Sequence, residues 1–277
     1  MSGPEVQSIE TVLGPEVWRP RQAAHRARGA AFGEARRRRA EAGEREPVED
    51  FLFTYYPFRL SALQRWTPGA GVALEQADAL LTDTRFGRGA DGLVRVVAPD
   101  DAHRARLAFA RDLCVAVAGR PAFLGCFGLH EWAMVYQQAA ERRHQGWPLR
   151  LGPEGTDAVV RTLSIRCTHY DAFRFFTPPA RPLNKLSPDL DGRLANEQPG
   201  CVHVTMDLYK WAMKSAPWVP AELTADAFEL ARDARSVDMR ASPYDFSAVG
   251  LAPIRIETPE GRSEYEQEQR RLTKKAE

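Results

Sequence analysis

The chain has 277 residues, 44% of them hydrophobic, enough to bury a full core and long for one domain but short for two. Lys and Arg number 38 against 37 Asp and Glu, a formal charge of +1, which excludes a protein that coats nucleic acid with its whole surface but leaves room for a local basic face. No run of about 18 apolar residues occurs, and Met1-Ser-Gly-Pro-Glu5 lacks a signal-peptide pattern, so the expectation is a cytoplasmic protein with no membrane partner and four reduced cysteines.

From Trp18 to Arg45 nine arginines meet only Glu34, Glu41 and Glu44, and Arg36, Arg37, Arg38 and Arg39 are consecutive. Alanines and long side chains favour helix there, and the scarcity of large apolar residues limits burial, so residues 1–46 are expected to form a basic N-terminal arm or helix. Its arginines are either a solvated face or, in the sharper reading, contacts to nucleic-acid phosphates. Residues 47–262 are expected to be a single catalytic domain, followed by a charged C-terminal helix over 263–277 that frays. The aromatic segment from Phe51 to Phe58 either closes a core or walls a pocket.

Short strands are predicted at Gly71–Leu74 and Leu93–Val97, divided by the polar, glycine-rich stretch Arg85–Gly92. Leu107, Ala110, Leu113, Cys114 and Val117 recur at helical spacing between Asp100 and Gly119. A second helix is predicted from about Gly128 to His144, then a short one capped by Thr156 or Asp157. Leu163–Thr168 reads as a strand, and Asp171 is placed to cap an aromatic helix over 172–176. After a loop from Pro182 to Pro199, proline-bounded helices are predicted at His203–Ser215 and Pro220–Arg240, then a strand-like segment at Pro253–Glu257. The sum is an α+β fold, mainly helical, a single domain with a few short strands.

Three segments repeat one combination of thiol, imidazole and acid: Cys126 with His130 and Glu131, Cys167 with His169 and Asp171, and Cys201 with His203 and Asp207. A catalytic metal needs His nitrogens and carboxylate oxygens converging at ~2 Å. His130, His169, His203 and Asp207 are the candidate ligands, and Zn, Fe or Mn in a small-molecule hydrolase or oxygenase is the corresponding chemistry. Against it stands a plain reading in which these histidines are packed or hydrogen-bonded core residues. Helix geometry points His130 and Glu131 about 100° apart, so one of them rather than both is expected at a small ligand. His203, Asp207 and Lys210 share one helix stripe, as do Glu229, Asp233 and Arg240.

Base excision is the other chemistry the residues suggest, because it needs an aromatic slot for an extruded base, a carboxylate beside the sugar and cations for phosphate. Asp171 would be the carboxylate, assisted by His169, His130 or Glu131. Trp132, Tyr136, Tyr170, Phe173, Phe176 and Trp211, with Lys210, would shape the pocket, and Arg36 to Arg39 would hold DNA. A third reading is a non-catalytic nucleic-acid binder using the arginine arm.

The strings Pro47-Val-Glu-Asp-Phe-Leu-Phe-Thr-Tyr-Tyr56, Leu124-Gly-Cys-Phe-Gly-Leu-His-Glu-Trp-Ala-Met-Val-Tyr136, Pro148-Leu-Arg-Leu-Gly-Pro-Glu-Gly-Thr-Asp-Ala-Val-Val160 and Glu197-Gln-Pro-Gly-Cys-Val-His203 resemble an actinobacterial family commonly labelled 3-methyladenine DNA glycosylase. The resemblance runs from about Val48 to Arg262. It implies an N-glycosidic hydrolase that excises alkylated purines from DNA and requires no cofactor. Leu151-Gly-Pro-Glu-Gly155 departs from the Leu-Pro-Gly-x-Gly hairpin of alkylpurine glycosylases, and a Gly-Pro turn before a short helix explains the same residues.

Overall fold

The structure, a computed structural model, describes residues 11–44, 46–138 and 146–277. The first ten residues of the expected arm and the end of the helix expected to reach His144 lie outside the described residues. In chain order the elements are β1 (Thr11–Leu13), α1 (Pro15–Ala42), α2 (Glu49–Tyr55), α3 (Leu60–Leu63), β2 (Val72–Leu74), β3 (Phe86–Arg88) and β4 (Val94–Val96). Then follow α4 (Asp101–Ala118), α5 (Leu129–Ala133), α6 (Gly152–Thr162), α7 (Tyr170–Phe173), α8 (Arg193–Asn196), α9 (Val202–Ser215), α10 (Ala221–Ala241) and α11 (Pro259–Ala276). The fold is α+β and mainly helical, with one small sheet. Among the described residues no helix is long and apolar enough to cross a membrane.

The described residues cluster into two compact units. The first comprises residues up to Glu44, Phe53–Phe109 and Lys210–Ala227. Its sheet has the order β1-β2-β4-β3, with β1 parallel to β2 in the register Thr11↔Val72 and the other pairs antiparallel. Leu74, Phe86 and Val94 of the sheet pack with Trp18 and Trp66, whose rings stack at 6.1 Å. Pro15 in the first turn and Gly43, at φ 67°, delimit α1. The helix buries a single stripe, Trp18, His25, Gly29 and Phe32, so it is anchored along one side, with Arg21 and Arg28 half-buried against Glu222 and Asp226 and Arg26, Arg37 and Arg38 exposed.

The second unit comprises the described residues within Arg45–Leu52, Ala110–Tyr209 and Phe228–Glu277. Trp132, Ile165, Met206, Phe228 and Tyr265 fill its interior, and Val48, Val135, Met239, Tyr244 and Phe246 form a smaller cluster. The last helix does not stand free: Tyr265, Gln269 and Leu272 of α11 are buried.

Several local expectations change in three dimensions. Leu163–Thr168 is no strand, because Asn184 takes the place of a ladder: its side chain accepts from the Cys167 amide at 2.7 Å and donates to the Cys167 carbonyl at 3.0 Å, beside one parallel bridge from Ile165 to Asn184. Pro253–Glu257 is extended and buries Ile254 and Ile256, but the Ile254 amide donates to the Arg240 carbonyl rather than to a strand. Helix α5 stops at Ala133, and the chain turns through Gln137 at φ 55°. Helix α6 starts at Gly152 with Pro153 in its first turn, ahead of the expected caps. Asp171 lies inside α7, with His169 at the cap position. The strands β1 and β3 were not expected; each is three residues long, too short to show an alternating pattern.

Candidate functional site

Helix α5 has every residue buried. Gly128 opens it at φ 71°, and a Cβ there would sit 3.2 Å from the Ala241 Cβ, so only glycine lets α5 approach α10 this closely. That approach brings His130 Nε2 to 2.8 Å from Asp238 Oδ1 on α10. Arg235, one turn before Asp238, donates from Nη1 to Asp238 Oδ2 at 2.6 Å and to Glu131 Oε1 at 2.9 Å. Its guanidinium lies 3.6 Å from the centre of the Phe51 ring. His130 and Glu131 do diverge around α5, yet one long arginine side chain links both into a single buried network.

The other two histidines continue it. His203, at the start of α9, sets its ring 4.4 Å from that of His130 and 5.2 Å from that of His169. His169 Nε2 lies 3.2 Å from Asp207 Oδ2, one turn along α9 from His203, and 3.9 Å from Glu197 Oε1. All these side chains are buried, Asp238 completely.

Burial by itself opposes charge here, and neighbours decide the outcome. Desolvation disfavours the His130 cation, but the charge of Asp238 and its hydrogen bond outweigh this and hold the His130 pKa above its ordinary value. Burial likewise pushes against the Asp238 carboxylate, while His130 and Arg235 overcome it and keep that group well below the usual carboxylate range. His203 has no such partner: burial, with His130 beside it, lowers its pKa well below the ordinary value. At neutral pH it is a neutral imidazole, the form that ligates metals. Burial raises the thiols, Cys167 to about 12 and Cys201 well above its ordinary value, so neither is a thiolate nucleophile.

Ligand atoms of His130, His203 and Asp238 lie within 4.8 Å of one another, and among the described residues no other His, Cys, Asp or Glu trio converges so closely. Nδ1 of His203 and Nδ1 of His169 are buried without a hydrogen-bond partner. A buried ring nitrogen left unsatisfied costs about 1–3 kcal/mol, which a bound cation would offset. Two imidazoles and one carboxylate make an oxygen- and nitrogen-donor set suited to Zn, Fe or Mn. No family model, curated protein or solved structure matches this chain.

The expected ligands therefore divide. His130 and His203 converge, whereas His169 and Asp207 form the adjoining pair. Asp171, the expected catalytic carboxylate, instead sits 3.1 Å from Arg174 Nε with its side chain 20% exposed. Trp132 is fully enclosed and donates from Nε1 to the Ala241 carbonyl at 2.8 Å. Tyr136 and Phe176 are also buried, Phe176 with its ring 5.1 Å from that of Phe173, and Tyr170 is half-buried. Trp211 and Lys210 belong to the first unit, where Trp211 packs 5.4 Å from Phe109 and Lys210 lies over the Trp211 ring. On α1, Arg37 and Arg38 reach Glu41 and Glu34 at 3.7 Å, Arg36 stacks on Phe53, and Arg39 is half-buried.

Asp238, Arg235 and Glu197 were missed. Asp233, in the polar stripe with Glu229 and Arg240 whose first reading is an ordinary charged helix face, faces outward to Arg271 and Lys275. The signal for Asp238 was present: Ala231, Ala234, Asp238 and Ala241 fall at i, i+3, i+7 and i+10, placing a carboxylate within a buried small-residue stripe.

Proposed function

We propose that this chain is a metalloenzyme that holds one Zn, Fe or Mn between His130, His203 and Asp238 and carries out hydrolysis or oxygenation of a small molecule. The convergence of these three donors within 4.8 Å carries the reading, and the unsatisfied Nδ1 of the uncharged His203 supports it; binding the ion would displace the proton that Asp238 holds on His130, since an imidazole ligates only when neutral. A cation in such a set acts as a Lewis acid or activates water or dioxygen when bound. The protein's own part is to hold the donors rigidly. Arg235 fixes the second oxygen of Asp238 and balances its charge, and Glu131 fixes Arg235 in turn. Elemental analysis of the purified protein after incubation with each metal tests it. About one metal per chain, lost in His203→Ala and in Asp238→Asn, supports the reading; metal content that is negligible, or that both variants retain, removes it.

Base excision is a second reading, and one observation favours it: Asp171 reaches solvent, where an extruded base in DNA has access, whereas the imidazole cluster is enclosed. In this reading the Asp171 carboxylate stabilises the sugar cation, with Arg174 as its ion-pair partner at 3.1 Å. A methylated oligonucleotide should release free base under single-turnover conditions, and Asp171→Asn should abolish release. Absence of release by the unaltered protein would dispose of it.

A further inference from the structure

The second unit contains a cleft of about 270 Å³ whose wall includes Phe123, Phe127, Ser164, Arg166, Lys185 and Arg262, and no carboxylate. Elsewhere in the chain guanidiniums commonly sit against acids, as Arg85 does with Asp83, Arg88 with Asp78 and Arg240 with Glu264. Here none of the three cations has an ion-pair partner among the described residues. The fold forces two of them together: the parallel bridge between Ile165 and Asn184 sets the next residues of the two segments, Arg166 and Lys185, side by side, and the Lys185 amide donates to the Ile165 carbonyl at 3.0 Å. Arg262, held by a bond from Nη1 to the Ile256 carbonyl at 3.0 Å, supplies the third charge. Three like charges around one opening repel, and a bound anion relieves that repulsion.

The cleft's aromatic side defines the rest of the ligand. The Arg166 guanidinium lies 4.7 Å from the centre of the Phe123 ring, so charge and ring face form one surface. Phe127, also on the cleft wall, is held at φ 47°, a conformation that bulky residues rarely adopt. The volume falls just under the ~300 Å³ at which pockets for drug-sized ligands begin, a size that suits a small ligand of one planar ring with one phosphate.

We propose that this cleft is a binding site for a nucleoside monophosphate, the phosphate held by Arg166, Lys185 and Arg262 and the base packed against Phe123 and Phe127. The proposal does not depend on the metal reading, since it involves none of the metal-binding residues. Calorimetric titration of the full-length protein with AMP, CMP, adenosine and inorganic phosphate tests it, beside the double variant Arg166→Ala/Lys185→Ala and Phe123→Leu. At least one nucleotide should bind, with adenosine and phosphate each weaker by about tenfold or more, the worth of a charge-assisted hydrogen bond or of a stacked ring. The double variant replaces exposed side chains and should keep its circular dichroism spectrum while losing about tenfold in nucleotide affinity. No binding of either nucleotide at millimolar concentration overturns the proposal. So does inorganic phosphate binding as tightly as the nucleotide, or unaltered affinity in the double variant.

Discussion

His130 and Asp238 are 108 residues apart in the chain, and their side chains meet at 2.8 Å in the interior of the second unit. Neither is stable there alone, because an ionised group without a partner in a buried site is costly. Each holds the other's charged form, and Arg235 and Glu131 complete the network.

Glu131 braces the candidate metal site without touching His203 or Asp238. Replacing it with glutamine should weaken metal binding about 10–100-fold, the usual cost of losing a supporting partner behind a ligand. Competition against a chromophoric chelator measures this, and an unchanged affinity would separate Glu131 from the site.

Arg235 is almost completely enclosed. Arg235→Leu leaves Glu131 and Asp238 buried without their cation, so urea unfolding of metal-free protein should show a loss of about 3–5 kcal/mol. A loss under about 1 kcal/mol would mean that the network is open to water.

Cys167 and Cys201 should resist alkylation in the folded protein, while exposed Cys114 reacts first. The Cys167 thiol is pushed up to about 12, so its thiolate appears only as the pH climbs toward that value. Mass spectrometry after iodoacetamide treatment at pH 8 reads the order of labelling; early modification of Cys167 would contradict its burial.

Glu257 receives two bonds from Arg150, at 2.9 and 3.1 Å. Burial works against its carboxylate, but these bonds win and hold its pKa below the ordinary 4.5. A lowered carboxylate pKa contributes stability above 4.5 that is lost as pH falls through the folded-state value. Glu257→Gln should therefore be less stable than the unaltered protein at pH 7 by about 1–2 kcal/mol. The gap should close on acidification below pH 4.5, and chemical denaturation at pH 7 and pH 3.5 compares the two; a gap independent of pH would contradict the ion pair.

Long helices were legible in the chain because their signals are local. The spacing of Leu107, Ala110 and Leu113 marks α4, and flanking prolines mark α9 and α10. The strands β2 and β4 fall within predicted segments, while Leu163–Thr168 misled because a side chain, that of Asn184, does the work of a neighbouring strand. The stripe of Glu229, Asp233 and Arg240 on α10 reads in the sequence first as an ordinary charged helix face, and Asp233 does pair outward with Arg271 and Lys275, while the buried acid of the same helix, Asp238, carries no such charge pattern.

By itself the sequence determined the helical majority, the absence of any long apolar span and the grouping of imidazole and acid in three segments, since each depends on composition or on neighbours a few residues away. Only the tertiary structure decided that His130 and His203 converge with Asp238, that His169 turns to Asp207, and that Asp171 stays at the surface with Arg174. The meeting of His130 with Asp238 depends on how closely α5 approaches α10. That distance is set by side-chain volume at contacts such as Gly128 against Ala241, which no pattern along the chain encodes.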